Sequence, residues 1–214
     1  MTNLYLIRHG EAHSNVEPWV IGGMKGCLGL TERGFAQARA LASRLASGEI
    51  PIDVIYSSTL PRTRQTAELV AEALDRPIIW DDDLHELRPG EADGLTFEQA
   101  REAYPNLQNF LNDLYLPFSP GGESWASFQL RVSATLARII ADHPGQRIAV
   151  IAHGGVIEVS FLYMLGLGPQ TRSRNAFHIR NTAITHWRYS ENHHRHEWEL
   201  ACHNDHVHLR AEKL

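Results

Sequence analysis

Arg8, His9 and Gly10, then Arg62, then His153-Gly154-Gly155 are the residues of this chain whose types could carry out a reaction together. A histidine can act as nucleophile or proton carrier near neutral pH, and a hydrogen bond to its second ring nitrogen selects one tautomer. The two arginines are planar, permanently charged forks that match the oxygens of a phosphate. Arg8 and His9 close the apolar run Leu4-Tyr5-Leu6-Ile7, and His153 closes another, Ile148-Ala149-Val150-Ile151-Ala152. Arg62 lies just after a third run, Asp53-Val54-Ile55-Tyr56-Ser57. If these runs are parallel strands joined by right-handed helical crossovers, all three groups emerge at one edge of an open α/β sheet. Helix amino termini after His153 and near Arg62 then aim N–H groups at the same cleft, which suits phosphate chemistry.

The elements that must do this positioning are legible in the periodicity. Thr31 predicts the N-cap of a helix through Phe35, Ala38, Leu41, Ala42 and Leu45 that Gly48 ends. Pro61 predicts the first turn of a second helix through Ala67, Leu69, Val70 and Leu74, followed by a strand at Pro77-Ile78-Ile79-Trp80. Ser124 caps a long helix through Phe128, Val132, Leu136 and Ile140, stopped by His143-Pro144-Gly145, and another helix runs from Gly155 to Leu165. Ala183–Trp187 and His196–Leu200 alternate like antiparallel edge strands. Residues 10–30, with Gly22, Gly23, Gly26 and Gly29, read as a long loop near the site. Residues 1–214 are expected to form one domain in which the stretch around 91–123 is a lid-like insertion over the sheet.

Composition sets the frame. With 214 residues, 43% hydrophobic and 21% charged, the chain can bury a full core. A net charge of −5 argues against a nucleic-acid or membrane-surface partner, so an anionic substrate has to be held by local charge. Cys27 and Cys202 form no C-x-x-C spacing and suggest neither a disulfide framework nor a thiolate metal site; free thiols in a reducing cytoplasm are expected. No basic region precedes a long apolar stretch at the amino terminus and no window is long enough for a membrane span, so neither secretion nor insertion is expected.

Leu6-Ile7-Arg8-His9-Gly10-Glu11 with Asn15 resembles the signature of the histidine phosphatase superfamily, the phosphoglycerate mutase-like enzymes, and Ser57-Ser58-Thr59-Leu60-Pro61-Arg62 through Ala67 resembles its second arginine motif. Leu84-His85-Glu86-Leu87, Gly94, Pro120-Gly121-Gly122-Glu123-Ser124 and Ile151-Ala152-His153-Gly154-Gly155 continue the match in the family's order. The resemblance implies a three-layer α/β/α sandwich with a mostly parallel central sheet, and metal-independent phosphoryl transfer through a phosphohistidine without a cofactor. It implies that His9 is the nucleophile, that Arg8, Arg62, Asn15, His153 and Gly154 hold the phosphate, and that His153 acts as a protonated or donor imidazole. Glu86 is then the general acid that protonates the departing alkoxide and afterwards takes a proton from water. Glu11 is expected to orient its neighbours.

The activity so implied is that of a histidine acid phosphatase-type phosphomonoesterase acting on small phosphorylated metabolites, or binding inorganic phosphate, with a homodimer left open. A phosphoglycerate mutase-type transferase is the alternative, but the loop from Ile21 to Leu30 lacks the tryptophan and aspartate of the mutase pattern, and the stretch between Gly94 and Ser124 lacks a basic run. A non-enzymatic phospho-ligand-binding module is the further alternative, against which stands the occupation of every catalytic position. The histidines of the tail (His186, His193, His194, His196, His203, His206, His208) are read as strand alternation rather than a metal site, and the aromatics from Phe110 to Phe128 as lid or core packing.

Overall fold

In the computed structural model, residues 1–16, 23–110, 112–170, 176–192 and 195–210 are described. Strand β1 (Thr2–Arg8) leads through the single turn α1 (His13–Val16) to helix α2 (Glu32–Ala46). Strand β2 (Val54–Ser57), helix α3 (Pro61–Leu74) and strand β3 (Ile78–Trp80) follow. Helix α4 (Phe97–Ala103) belongs to the expected insertion, and helix α5 (Trp125–Asp142), strand β4 (Arg147–Ala152) and helix α6 (Gly154–Met164) complete the crossovers. Strands β5 (Ile184–Asn192) and β6 (Arg195–Asp205) end the sheet, whose order is β3-β2-β4-β1-β5-β6. The four strands β3, β2, β4 and β1 run parallel, β5 is antiparallel to β1, and β6 is antiparallel to β5.

The helix signals act where they are read. Thr31 accepts the Gly34 N–H as N-cap of α2, Pro61 occupies the first turn of α3, and Ser124 forms a capping box with Ser127 at α5. The tail strands are longer than the alternation alone indicates, because the β5–β6 pairing continues beyond the core to Asn192 and Arg195. His193 and His194, like Ile21 and Gly22 of the glycine-rich loop, lie outside the described residues.

Side-chain alternation splits the sheet between two cores. Leu4, Leu6, Ile148, Val150 and Ala152 pack with residues of α5 and α6 on one face. Tyr5, Ile7, Ile55, Ala149 and Ile151 pack with Leu41, Leu45, Ala67 and Val70 of α2 and α3 on the other. The three-layer arrangement follows from these two apolar faces, since a parallel sheet must be covered on both sides. Ala92, Ala100, Phe110, Leu114 and Phe118 of the stretch 91–123 join the first core, so these residues are packed against the body of the molecule. The aromatics Phe110, Phe118, Trp125 and Phe128 are therefore core groups.

The tail histidines whose side chains are described, which do not include His196, have structural partners. The His186 ring stacks on Tyr5 and bonds to Asn3, His203 bonds to Thr185, His206 to the Asn204 carbonyl, and His208 to Thr182. Among the described residues no three metal-ligating side chains converge, and no helix is long and apolar enough to cross a membrane.

Candidate active site

The carboxyl ends of β1, β2 and β4 lie side by side, with Ile7 opposite Ile151 and Ser57 opposite Ile151 on the other flank. His9, Arg62 and His153 therefore meet, although they are far apart in the chain. His9 and Arg62 are 3% exposed and His153 is fully buried. The Arg62 guanidinium bridges the two imidazoles: its Nε donates to His9 Nε2 and its Nη2 to His153 Nδ1, each at 3.0 Å. The imidazole centroids are 5.3 Å apart.

These bonds determine both tautomers. His9 Nδ1 lies 2.6 Å from the Gly10 carbonyl, which can only accept, so Nδ1 carries the proton and Nε2 carries the lone pair that accepts from Arg62. His153 accepts at Nδ1 and therefore donates from Nε2 to Ser58 Oγ at 2.9 Å. Both rings are neutral in this arrangement. Burial is the first cause that holds each well below the ordinary histidine pKa, and the positive charge of Arg62 is the second. His153 thus turns its lone pair towards Arg62 and its N–H towards Ser58, because a guanidinium has no acceptor and forces the facing nitrogen to accept.

Gly10 serves a different purpose from the tight turn its type suggests. It has no positive φ, but a β-carbon there would lie 2.5 Å from the Gly34 carbonyl oxygen of α2. The glycine permits close packing of the His9 loop against that helix. Glu11 ties the same loop to the helix through Thr31 Oγ1 at 2.8 Å, while the Glu11 N–H donates to Gln37.

Arg8 lies beside this pair. Its Nη1 donates to the Ile179 carbonyl, yet its Nε is buried without a hydrogen-bond partner among the described residues. A β-carbon on Gly154 would lie 3.9 Å from that Nε, so the unsatisfied donor sits next to the first residue of α6, where helix N–H groups are also available. A buried cationic donor left unpaired is costly, and its desolvation lowers the Arg8 pKa. An incoming oxyanion would satisfy it.

Glu86 approaches the same helix terminus. Its Oε2 accepts from the Gly155 N–H at 3.0 Å and its Oε1 from the Leu87 N–H at 3.0 Å. It also lines a cavity of about 210 Å³ with His85, Arg88, Asp93, Met24 and Gly121. Asn15 is exposed, and its Oδ1 accepts from the Ala12 and Asn181 amides, so its Nδ2 is the end directed elsewhere. The structure thus assembles His9, Arg62 and His153 in direct contact, Arg8 and Glu86 at the adjoining helix terminus, and Asn15 at the rim.

Three participants carry no role in the sequence reading. Cys27 is buried and its Sγ accepts from Arg62 Nη1 at 3.3 Å. Ser58 orients His153; it stands within the motif around Arg62 but has no chemistry that marks it. Asn181 Nδ2 donates to the His9 carbonyl at 3.1 Å, and only the pairing of β5 with β1 brings it there.

A residue that controls Glu86 without touching substrate provides a prediction. A β-carbon at Gly155 would collide with Glu86 Oε1 and lie 3.1 Å from Phe128. The carboxylate end is mobile enough to move away, so Gly155→Ala should fold normally while kcat falls about 10- to 100-fold, a part of what a general acid contributes. Thermal melting and steady-state kinetics on the same preparation would check both halves.

Comparison with known proteins agrees with this geometry. The model of the histidine phosphatase superfamily (branch 1) matches residues 4–206. The chain belongs to that superfamily. Its relatives include the metal-independent phosphoserine phosphatase of Arabidopsis thaliana, 35% identical over 76% of this chain and 68% of the relative. Phosphoserine phosphatase 1 of Hydrogenobacter thermophilus is 34% identical over 78% of each chain. The crystal structure of a phosphoserine phosphatase mutant from Entamoeba histolytica in complex with phosphoserine superimposes with a TM-score of 0.78 at 29% identity, covering 98% of this chain and all of that one. As a histidine phosphatase superfamily member with this α/β/α fold, the protein is an enzyme of the phosphatase type.

Proposed function

We propose that the protein is a metal-independent phosphomonoesterase that works through a phosphohistidine on His9, with small amino-acid phosphates such as phosphoserine as its preferred class. The observation that carries this reading is the juxtaposition of the His9 Nε2 lone pair with the unsatisfied Arg8 Nε and the bridging Arg62. In the first step Nε2 attacks phosphorus, the P–O bond to the leaving group breaks, and Glu86 gives its proton to the departing alkoxide. In the second step Glu86, now ionised, takes a proton from water as the water oxygen displaces the imidazole, regenerating His9 and releasing inorganic phosphate. Arg8, Arg62, His153, Asn15 Nδ2 and the Gly154 N–H hold the phosphoryl oxygens. Such positioning and charge stabilisation are the main demands of phosphoryl transfer.

When a dianionic phosphate takes the place of lone pairs around Arg62, His153 Nδ1 faces negative charge instead of a guanidinium and gains a proton. Its expected donor role then belongs to the liganded enzyme. The depressed His9 pKa supports acid-phosphatase-type behaviour, because the nucleophile stays unprotonated into mildly acidic solution. The segment 91–123 forms the substrate-facing wall of one domain: Asp93 accepts from the Lys25 and Gly26 N–H groups and lines the cavity beside Glu86. Arg88 and Asp93 give that cavity one charge of each sign, which suits the carboxylate and ammonium of a zwitterionic leaving group. Two free thiols fit a reducing, cytoplasmic setting.

A panel of phosphomonoesters assayed for phosphate release with excess chelator tests the reading. Turnover should persist in chelator, and phosphoserine should exceed sugar phosphates and nucleoside monophosphates in kcat/KM by about tenfold, the worth of one well-placed polar contact. Interconversion of 3- and 2-phosphoglycerate without net phosphate release would point to the mutase instead.

A further inference from the structure

Thr182 is fully buried and adopts φ of +55°. A β-branched residue is rarely found in that left-handed region, and it stays there only where its surroundings demand it. The demand here comes from β1. Thr182 closes a tight turn in which the Ala183 N–H donates to the Arg180 carbonyl, and its own N–H donates to the carbonyls of Arg8 at 3.0 Å and His9 at 3.3 Å. Asn181 Nδ2 donates to the same His9 carbonyl at 3.1 Å and to Asn15 Oδ1 at 3.3 Å. Arg8 is enclosed by the same segment: its backbone N–H reaches the Ala183 carbonyl and its guanidinium the Ile179 carbonyl. The turn is braced from behind, since His208 lies 3.0 Å from Thr182 Oγ1 and Asn204 Oδ1 accepts from the Arg180 N–H.

We infer that the Asn181–Thr182 turn is a positioning device for the nucleophile: it fixes the His9 carbonyl, and through the His9–Gly10 peptide it fixes the acceptor that orients the imidazole. The connection is short. The His9 Nδ1 proton is held by the Gly10 carbonyl, one peptide beyond the group that Asn181 and Thr182 grip. A relaxed His9 carbonyl lets that peptide rotate and Nε2 swing from its line of attack. Misplacement on the scale of 1 Å costs about 100-fold in a positioned reaction. Neither Asn181 nor Thr182 touches the reacting atoms in this scheme, and their effect passes through His9.

This inference rests on His9 being the nucleophile, and the test keeps the two claims separate. Asn181→Ala, Asn181→Asp and His9→Ala are assayed with p-nitrophenyl phosphate, and inorganic phosphate is titrated as competitive inhibitor. Asn181→Ala should lower kcat about 10- to 100-fold, with the phosphate inhibition constant changed by no more than about twofold, as expected for a group that does not itself hold the anion. Asn181→Asp should lower kcat at least as much, because an ionised carboxylate cannot donate and faces two acceptor oxygens. This isosteric variant also keeps the test valid if the alanine variant does not fold. In ¹⁵N-histidine-labelled protein the His9 Nδ1 proton should be protected from exchange in the wild type and lose that protection in both variants. Wild-type kcat in folded Asn181 variants, or kcat and phosphate binding falling together, would overturn the inference. Full turnover in His9→Ala would instead overturn the phosphohistidine reading.

Discussion

His9→Ala is expected to reduce kcat by about 10⁴-fold or more, the scale seen when the nucleophile of a covalent mechanism is removed. The same variant should still bind inorganic phosphate, because Arg8 is held by the Ile179 carbonyl and Arg62 keeps its bonds to His153 and Cys27. The wild-type enzyme, quenched in alkali during turnover of a ³²P-labelled ester, should carry an acid-labile, base-stable label that His9→Ala lacks. The size of the effect follows from the preparation of this one nitrogen. Its ring is buried, its tautomer is chosen by the Gly10 carbonyl, and its lone pair already faces a cationic donor. His153 is also buried with its lone pair on Arg62, but its other nitrogen donates to the Ser58 hydroxyl rather than to a backbone carbonyl.

Arg62→Ala should follow with a loss of about 10³- to 10⁵-fold, the range over which an arginine stabilises a transferring phosphoryl group. Arg62→Lys should rescue little, because a single ammonium cannot span His9 Nε2 and His153 Nδ1 as the fork does. The pH profile provides a second readout whose sign is determined. In the wild type, burial lowers the His9 pKa and Arg62 lowers it further. Removing that cation raises the pKa back towards the ordinary histidine value. A larger fraction of His9 is then protonated at mildly acidic pH, and protonated Nε2 cannot attack. The acid limb of kcat/KM should therefore move to higher pH in Arg62→Ala. An acid limb that stays in place, measured on the residual activity, would show that His9 does not titrate under Arg62's influence.

Much of this site is visible in the residue order because its parts sit at strand ends. Arg8-His9, Arg62 and His153 each follow an apolar run, and parallel pairing of the runs is enough to bring them together. The caps at Thr31, Pro61 and Ser124 place the helices for the same local reason. What could not be read is set by contact across long separations. Asn181 stands just before an alternating segment and has no local feature that distinguishes it from a turn residue; its value appears only when β5 lies antiparallel to β1. Gly10 suggests turning by its type, yet it is small because Gly34 approaches it. The state of His153 depended on which partner faces its Nδ1, a question that spacing leaves open.

The position of β1 between β4 and β5 bears on biosynthesis. Arg8 and His9 leave the ribosome first, but the neighbours that order them are made last: the edge of β4, the turn at Asn181–Thr182, and the bracing residues Asn204 and His208. A chain that ends before Asn181 thus holds His9 and both guanidiniums without the turn that fixes the His9 carbonyl. The setting of His9 is therefore a late event of synthesis, completed by a turn 172 residues further along the chain.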